Sequence, residues 1–270
     1  TAGTCVISYT ISNGCSAWAT VTVHPIPSAG TITVPSTVCM STPITLTSSV
    51  PGGVWSTTAV GGSATIGTST GIVTGTSTGT VDVTYTYTSG AGCTNNTVRT
   101  ITVNPLPTVG IITGAANVCP GATITLSNAT SGGVWSSGGA WATVVGSTGV
   151  VTGVTAGVET IAYSFTTSCG TATANYAVTV DPLPFAGSIS GSMAPLCPGQ
   201  TTTLTNTVSG GAWTSSSGSI ASVSGTGVVT GIAGGTTVIS YSVTNSCGTA
   251  RTTFTINVVP APNVGAITGI

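Results

Sequence analysis

Apolar and hydroxyl residues alternate along most of this chain. In "ETIAYSF" (159–165) and "TANYAVTV" (173–180), apolar side chains recur on every second position with Thr, Ser, Asn or Ala between them, the period of a strand buried on one face. Val and Thr suit such strands because branched side chains pack well on a pleated surface. Glycines punctuate the pattern as turns, in Gly132–Gly133 and in Gly149 and Gly153 around Val150–Val151. Roughly seven short strands with a turn signal about every 8 to 12 residues predict an antiparallel sandwich. No segment offers a helical period of useful length.

The alternation is itself repeated. "TGIVTGTSTG" (70–79), "TGVVTGVTAG" (148–157) and "TGVVTGIAGG" (226–235) are near-copies, and Trp55, Trp135 and Trp213 recur in step with them. Tyr9, Tyr85, Tyr163 and Tyr241 keep the same period, as do Pro27, Pro107, Pro184 and Pro262, all at spacings of 76 to 80 residues. Such self-similarity marks a tandem array. Three complete repeats run over 28–104, 108–181 and 185–259, the C-terminal half of another occupies 1–24, and the first strand of a further one is expected at 263–270. The chain thus reads as a window on a longer array. Within each repeat the expected core centres on Trp55 and Tyr85, Trp135 and Tyr163, or Trp213 and Tyr241 with the Val, Ile and Leu positions. The linkers at 25–27, 105–107, 182–184 and 260–262 each carry two prolines; proline fixes its own backbone and restrains the preceding residue, so semi-rigid joints and a rod are expected.

Composition removes whole classes of function. The 270 residues include 2 Lys+Arg, 3 Asp+Glu and 1 His. Nucleic-acid binding, which draws on cationic side chains, has only Arg99 and Arg251 to use, and a polybasic membrane patch is equally excluded. No apolar run reaches the roughly 18 residues of a spanning helix, so no membrane insertion is expected. His24 lies in a proline joint, while Asp82, Glu159 and Asp181 stand in three separate places. We therefore expect no catalytic residues, no metal site and no cofactor. The "GVVTG" stretches lack the Lys and following helix of a phosphate loop, and a chain without Lys cannot form Lys–Asn isopeptide crosslinks. The sequons at Asn95 and Asn128 are of a kind that arises by chance in Asn/Thr-rich sequence.

Eight cysteines without metal-site spacing imply disulfides and an oxidising, extracellular or cell-surface location. Each complete repeat has one cysteine before its second strand (Cys39, Cys119, Cys197) and one after its sixth (Cys93, Cys169, Cys247). Pairing within a repeat has the Cys…Trp…Cys order of antibody domains in its favour. Here, however, the two cysteines sit in turns at opposite ends of a sandwich, about 17 to 20 Å apart, whereas a disulfide tolerates about 4.4 to 6.8 Å between Cα atoms. Stapling across joints meets that limit, with Cys39 to Cys169 and Cys119 to Cys247. Cys5 is then expected to take Cys93, leaving Cys15 and Cys197 for neighbouring repeats or identical subunits. Both schemes stay open at this point.

The segment "ATITLSNATSGGVWSSGGAWATVVGSTGVVTGVTAGVETIAYSF" (122–165) resembles a bacterial immunoglobulin-like domain of group 2, the type found in intimin and invasin stalks, through "W-S-S", "A-T-V", "G-V-V-T-G" and "A-G" in order. The "V-C-P-G", "S-C-G-T-A-T" and "N-P-L-P" pieces are similar to tandem repeats of very large secreted surface proteins of Bacteroidota. The resemblance implies tandem immunoglobulin-like sandwiches in a structural filament or adhesin stalk. The acidic residues that calcium-binding relatives use are missing, so calcium is not implied. Two other readings remain: a glycan- or surface-binding module using exposed Thr rows or Trp141, which the other repeats replace by Ser63 and Ile220, and the spacer of a giant secreted enzyme. Partners under these readings are neighbouring repeats, identical subunits, other cells, surfaces or glycans.

Overall fold

A computed structural model describes residues 1–33 and 35–262; the strand expected at 263–270 lies outside the described residues. The described residues form strands, turns and bends without any helix, as the Thr/Val alternation dictates. Two compact units can be distinguished, Thr1–Thr108 with Phe165–Ala172, and Val109–Ser164 with Thr173–Ile270.

Each complete repeat is a mainly antiparallel sandwich of immunoglobulin type, with one short parallel pairing to the last strand. In the first, Thr37–Cys39, Thr94–Asn104, Gly79–Thr88 and Val54–Ala59 make one sheet in that order. Pro43–Thr45, Ile72–Ser77 and Ser63–Ile66 make the other, and Ile32–Thr33 pairs with Thr47–Ser48. Between the sheets lie Val38, Leu46, Trp55, Val73, Val81, Val83, Tyr85, Ile101 and Val103, all buried. The second and third repeats have cores of their own at matching positions, around Leu126, Trp135, Ile161 and Val178, and around Leu204, Val229, Ile239 and Ile256.

The Trp–Tyr pair is the common centre. Trp55 lies directly across from Tyr85, Trp135 from Tyr163 and Trp213 from Tyr241. Their rings are tilted by 53° to 55° with centroids 4.6 to 4.7 Å apart, a favoured aromatic geometry. Trp213 is only partly buried; the other five are buried. Each tyrosine hydroxyl closes the Gly-Gly turn above it. Tyr163 donates to Thr130 O at 2.5 Å and accepts from Gly133 N at 2.8 Å, and Tyr85 and Tyr241 do the same with Val50 and Gly53, and with Val208 and Gly211. Glycine is required there because a Cβ on Gly133 would come within 2.5 Å of the tyrosine ring. The first glycine of "TGVVTG" is needed for a second reason: Gly149 has φ +71° and faces Leu126 O at 2.5 Å from where its Cβ would be. The repeated phrase is thus the turn that wraps the tryptophan.

The last two strands of each repeat form a long hairpin, Gly157–Thr167 with Gly170–Val180 in the second and Gly235–Asn245 with Gly248–Val258 in the third. Eleven residues span about 35 Å, whereas the other strands of these two repeats have two to four residues. Val134–Ser137 pairs only with residues 161–164, and Ala212–Ser215 only with 239–242. The ends of these hairpins therefore project beyond their own sheets. For this reason the tip Phe165–Ala172 is part of the first compact unit, although the repeat period assigns it to the second repeat.

At the N-terminal side, Gly3–Thr10 and Ser16–Val23 form a two-stranded hairpin. It corresponds to the long hairpin of a repeat, and its apolar residues, Tyr9 among them, are exposed.

Candidate functional site

The joints between repeats bring the cysteines together. On one side is a tight turn at the start of each sandwich: Cys39-Met40-Ser41-Thr42, Cys119-Pro120-Gly121-Ala122 and Cys197-Pro198-Gly199-Gln200. Each is closed by a bond from its fourth residue to the cysteine carbonyl, at 3.1, 3.0 and 3.0 Å. The third residue is left-handed in every case, with φ 62° at Ser41, 79° at Gly121 and 85° at Gly199; Pro-Gly suits this conformation in the second and third turns, whereas the first adopts it with Met40-Ser41. Its N–H donates to the neighbouring sheet, to Gly75, Gly153 or Gly231 O, at 2.8 to 3.0 Å. These turns are held before anything docks on them.

On the other side is the hairpin tip. The loops Ser168–Cys169 and Ser246–Cys247 each contain two residues, and both are followed by a glycine. The amide of Cys169 donates to Thr167 Oγ1 at 3.1 Å, and that of Cys247 to Asn245 Oδ1 at 2.8 Å, which fixes the direction of each cysteine.

Tip and turn are joined covalently. Cys39 bonds Cys169 and Cys119 bonds Cys247, with Cα–Cα distances of 5.4 Å in both. Around the second bridge, Asn245 Nδ2 donates to Pro182 O at 2.8 Å and Ser246 Oγ to Asp181 Oδ2 at 3.2 Å. The other Asp181 oxygen accepts from Asn117 Nδ2 at 3.2 Å. Asp181 thus ties the tip to the strand leading into the Cys119 turn.

The other cysteines behave differently. Cys5, Cys15 and Cys197 are free and exposed, and Cys93 is free and half-buried. The expected Cys5–Cys93 bridge is not formed. Cys5 sits in mid-strand opposite Val21, at the position that Val81, Glu159 and Thr237 occupy in the complete repeats, all three buried. It lies on the face of the hairpin that is core-facing in the complete repeats. Cys93 and Cys15 close five-residue loops, 89–93 and 11–15, through matching bonds from Ser89 and Ile11 N to the cysteine carbonyls at 2.9 and 3.0 Å.

The candidates for chemistry remain apart. His24 is exposed in its joint, and Asp82 accepts from Thr100 Oγ1 at 2.5 Å. Glu159 is 3% exposed, and its Oε2 has no hydrogen-bond partner. Gly139 faces it, where a Cβ would strike the carboxylate. Its burial follows from the alternation, because residue 159 shares a face with Ile161 and Tyr163, but composition alone does not reveal it. Trp141 lies over Gly157 and remains 45% exposed. A shallow hydroxyl-lined depression of about 300 to 470 Å³ recurs beside each Trp–Tyr pair. Among the described residues no cluster of three or more potential metal ligands occurs, and no helix is long and apolar enough to cross a membrane.

No family model and no curated protein matches the chain. Among solved structures it is similar to mouse cadherin-23 EC22–24, at 12% identity and TM-score 0.36 over 84% of this chain and 95% of that one. It is also similar to a Ca2+-stabilized adhesin that helps an Antarctic bacterium bind ice, at 16% identity and TM-score 0.37, covering 96% and 81%. Invasin, a bacterial integrin-binding protein, gives 15% identity and TM-score 0.37, covering 96% and 65%. Likeness at this level carries no argument about function, which rests on the joints.

Proposed function

We propose that this chain is a non-enzymatic structural region of an extracellular surface stalk or filament, whose joints are stapled by disulfides from hairpin tip to preceding turn. The observation that carries this reading is the span of the two bridges. They link residues 130 and 128 positions apart, further than the 76 to 80 residues of one repeat. Bridges inside a repeat stabilise that repeat; bridges across a joint oppose separation of neighbours, which is what a tensile element requires. Disulfides in an array also fit an oxidising compartment. The neutral, hydroxyl-rich strand faces suit an extracellular role, since interactions of so few charges depend little on salt. The resemblance of residues 122–165 to stalk domains agrees with the reading.

Stretching the chain between its ends tests it. With both bridges intact, the shortest covalent route runs from residue 1 to 39, across to 169, back to 119, across to 247 and on to 270. That is about 110 residue steps, or about 400 Å at full extension; reduction frees all 270 residues and raises the limit to about 950 Å. Equal limits before and after reduction would contradict a disulfide-limited stalk.

A further inference from the structure

We propose that the second repeat holds a binding site for a primary ammonium group, formed by the buried carboxylate of Glu159 and the exposed indole of Trp141. The site is separate from the stapled joints and does not depend on them. Glu159 lies on the core face of the strand Gly157–Thr167, 3% exposed, and its Oε2 is buried without a hydrogen-bond partner. The two neighbouring repeats close the same position. In the first, Val81 fills it with an apolar side chain, and Gly61 and Gly62 N both bond Thr80 O at 3.0 Å. In the third, Thr237 Oγ1 accepts from Ser217 N at 3.1 Å and bonds the Ser215 and Ser216 hydroxyls at 3.2 and 3.1 Å, while Ser216 N bonds Val238 O at 2.9 Å. The second repeat has Gly138 and Gly139 in place of Ser216 and Ser217, so the hydroxyl of Ser216 has no counterpart beside the carboxylate. Among the described residues, Gly138, Gly139 and Ala140 make no backbone–backbone hydrogen bond either.

The indole lies beside the carboxylate. A side chain on Gly139 would strike Glu159 Oε2, and one on Gly157 would strike the Trp141 ring, so 139 faces 159 and 141 faces 157 as neighbouring rungs. Trp141 is anchored through its carbonyl, which accepts from Val154 N at 2.7 Å and Thr155 N at 3.2 Å, while its side chain stays 45% exposed. The exposed loop 138–140 covers the carboxylate and is tied by none of its own backbone groups. A slender ligand therefore has a path past it.

One unpaired acceptor beside an aromatic ring selects the ligand. A buried carboxylate is stabilised by a cation that donates hydrogen bonds to it. This chain has no Lys and only Arg99 and Arg251, which lie in the first and third repeats across from Val83 and Ser242, so the cation comes from outside. A hard divalent ion needs several oxygen ligands, and no cluster of three potential metal ligands occurs among the described residues. A quaternary ammonium has no N–H to offer Oε2. A primary ammonium donates to Oε2 and sets its charge against the indole. The depth of Glu159 favours an unbranched alkyl chain, such as the end of a lysine side chain of a partner protein, over an amino sugar.

The test titrates the whole oxidised chain with n-butylammonium chloride at constant ionic strength, read by calorimetry and by thermal melting. We expect saturable binding and a melting temperature that rises with ligand. Glu159→Gln keeps the shape, removes the charge and weakens binding about tenfold or more; Trp141→Ser, the residue of the first repeat, weakens it about two- to fivefold. Melting in ligand-free buffer reports whether each variant is folded, and if Glu159→Gln is not, Trp141→Ser and the choice of cation still decide. Potassium, tetramethylammonium and glucosamine, all as chlorides, should each bind more weakly than n-butylammonium. Potassium binding as tightly, equal affinity in the parent and Glu159→Gln, unchanged affinity in Trp141→Ser, or a preference for glucosamine would overturn the proposal. Neither variant alters a cysteine, so such a failure leaves the stapled-joint reading standing.

Discussion

Single side chains decide how well each sandwich closes. Tyr163 is both a core ring and the hydrogen-bonding partner of two groups in the turn above it. Tyr163→Phe keeps the ring and removes both bonds to a partly buried carbonyl and amide, so the second repeat should lose about 1 kcal/mol in a denaturant titration followed by tryptophan fluorescence. Glu159 works in the opposite direction. It carries a carboxyl into a position that Val81 fills in the first repeat, and one of its oxygens is buried without a partner. Glu159→Val should therefore stabilise the second repeat by about 1 to 2 kcal/mol, because the desolvation of an unpaired polar group is removed. A lower unfolding midpoint for this variant would show that the carboxylate has a partner. Both residues were legible in part: the alternation put 159, 161 and 163 on one face, yet the sequence held no sign that a glycine at 139 makes room for the longer side chain.

At the scale of elements, the strands and turns could be read because Thr/Val alternation and paired glycines are local signals, repeated three times over. The projection of the long hairpins could not. Residues 165–172 are mostly small and hydroxyl-bearing and carry no local sign of their placement, and only the shortness of their sheet neighbours, fixed by pairing, leaves them overhanging. The same limit misplaced Cys5, whose pairing with Cys93 was argued from chain position, although its place in the strand period puts it on the core face. Removing one staple tests the element directly. Cys119→Ser with Cys247→Ser opens a loop of 128 residues and should cost about 4 to 5 kcal/mol in the chain-entropy model, read as a lower melting temperature under oxidising conditions only. An equal loss under reducing conditions would place the effect in packing around the turn instead.

At the scale of the whole molecule, repetition and covalent stapling are parts of one proposed device: similar sandwiches supply length, and the tips at Cys169 and Cys247 return to the turns at Cys39 and Cys119. The charge-poor composition supports the same end, with two Arg and no Lys to interrupt a neutral surface. Everything else in the account depends on which cysteines are bonded. The decisive measurement is mass spectrometry of the unreduced protein cut with pepsin, since trypsin finds only Arg99 and Arg251. The account predicts linked peptides containing Cys39 with Cys169 and Cys119 with Cys247; peptides joining Cys39 to Cys93 and Cys119 to Cys169 would contradict it and return the chain to separately closed repeats.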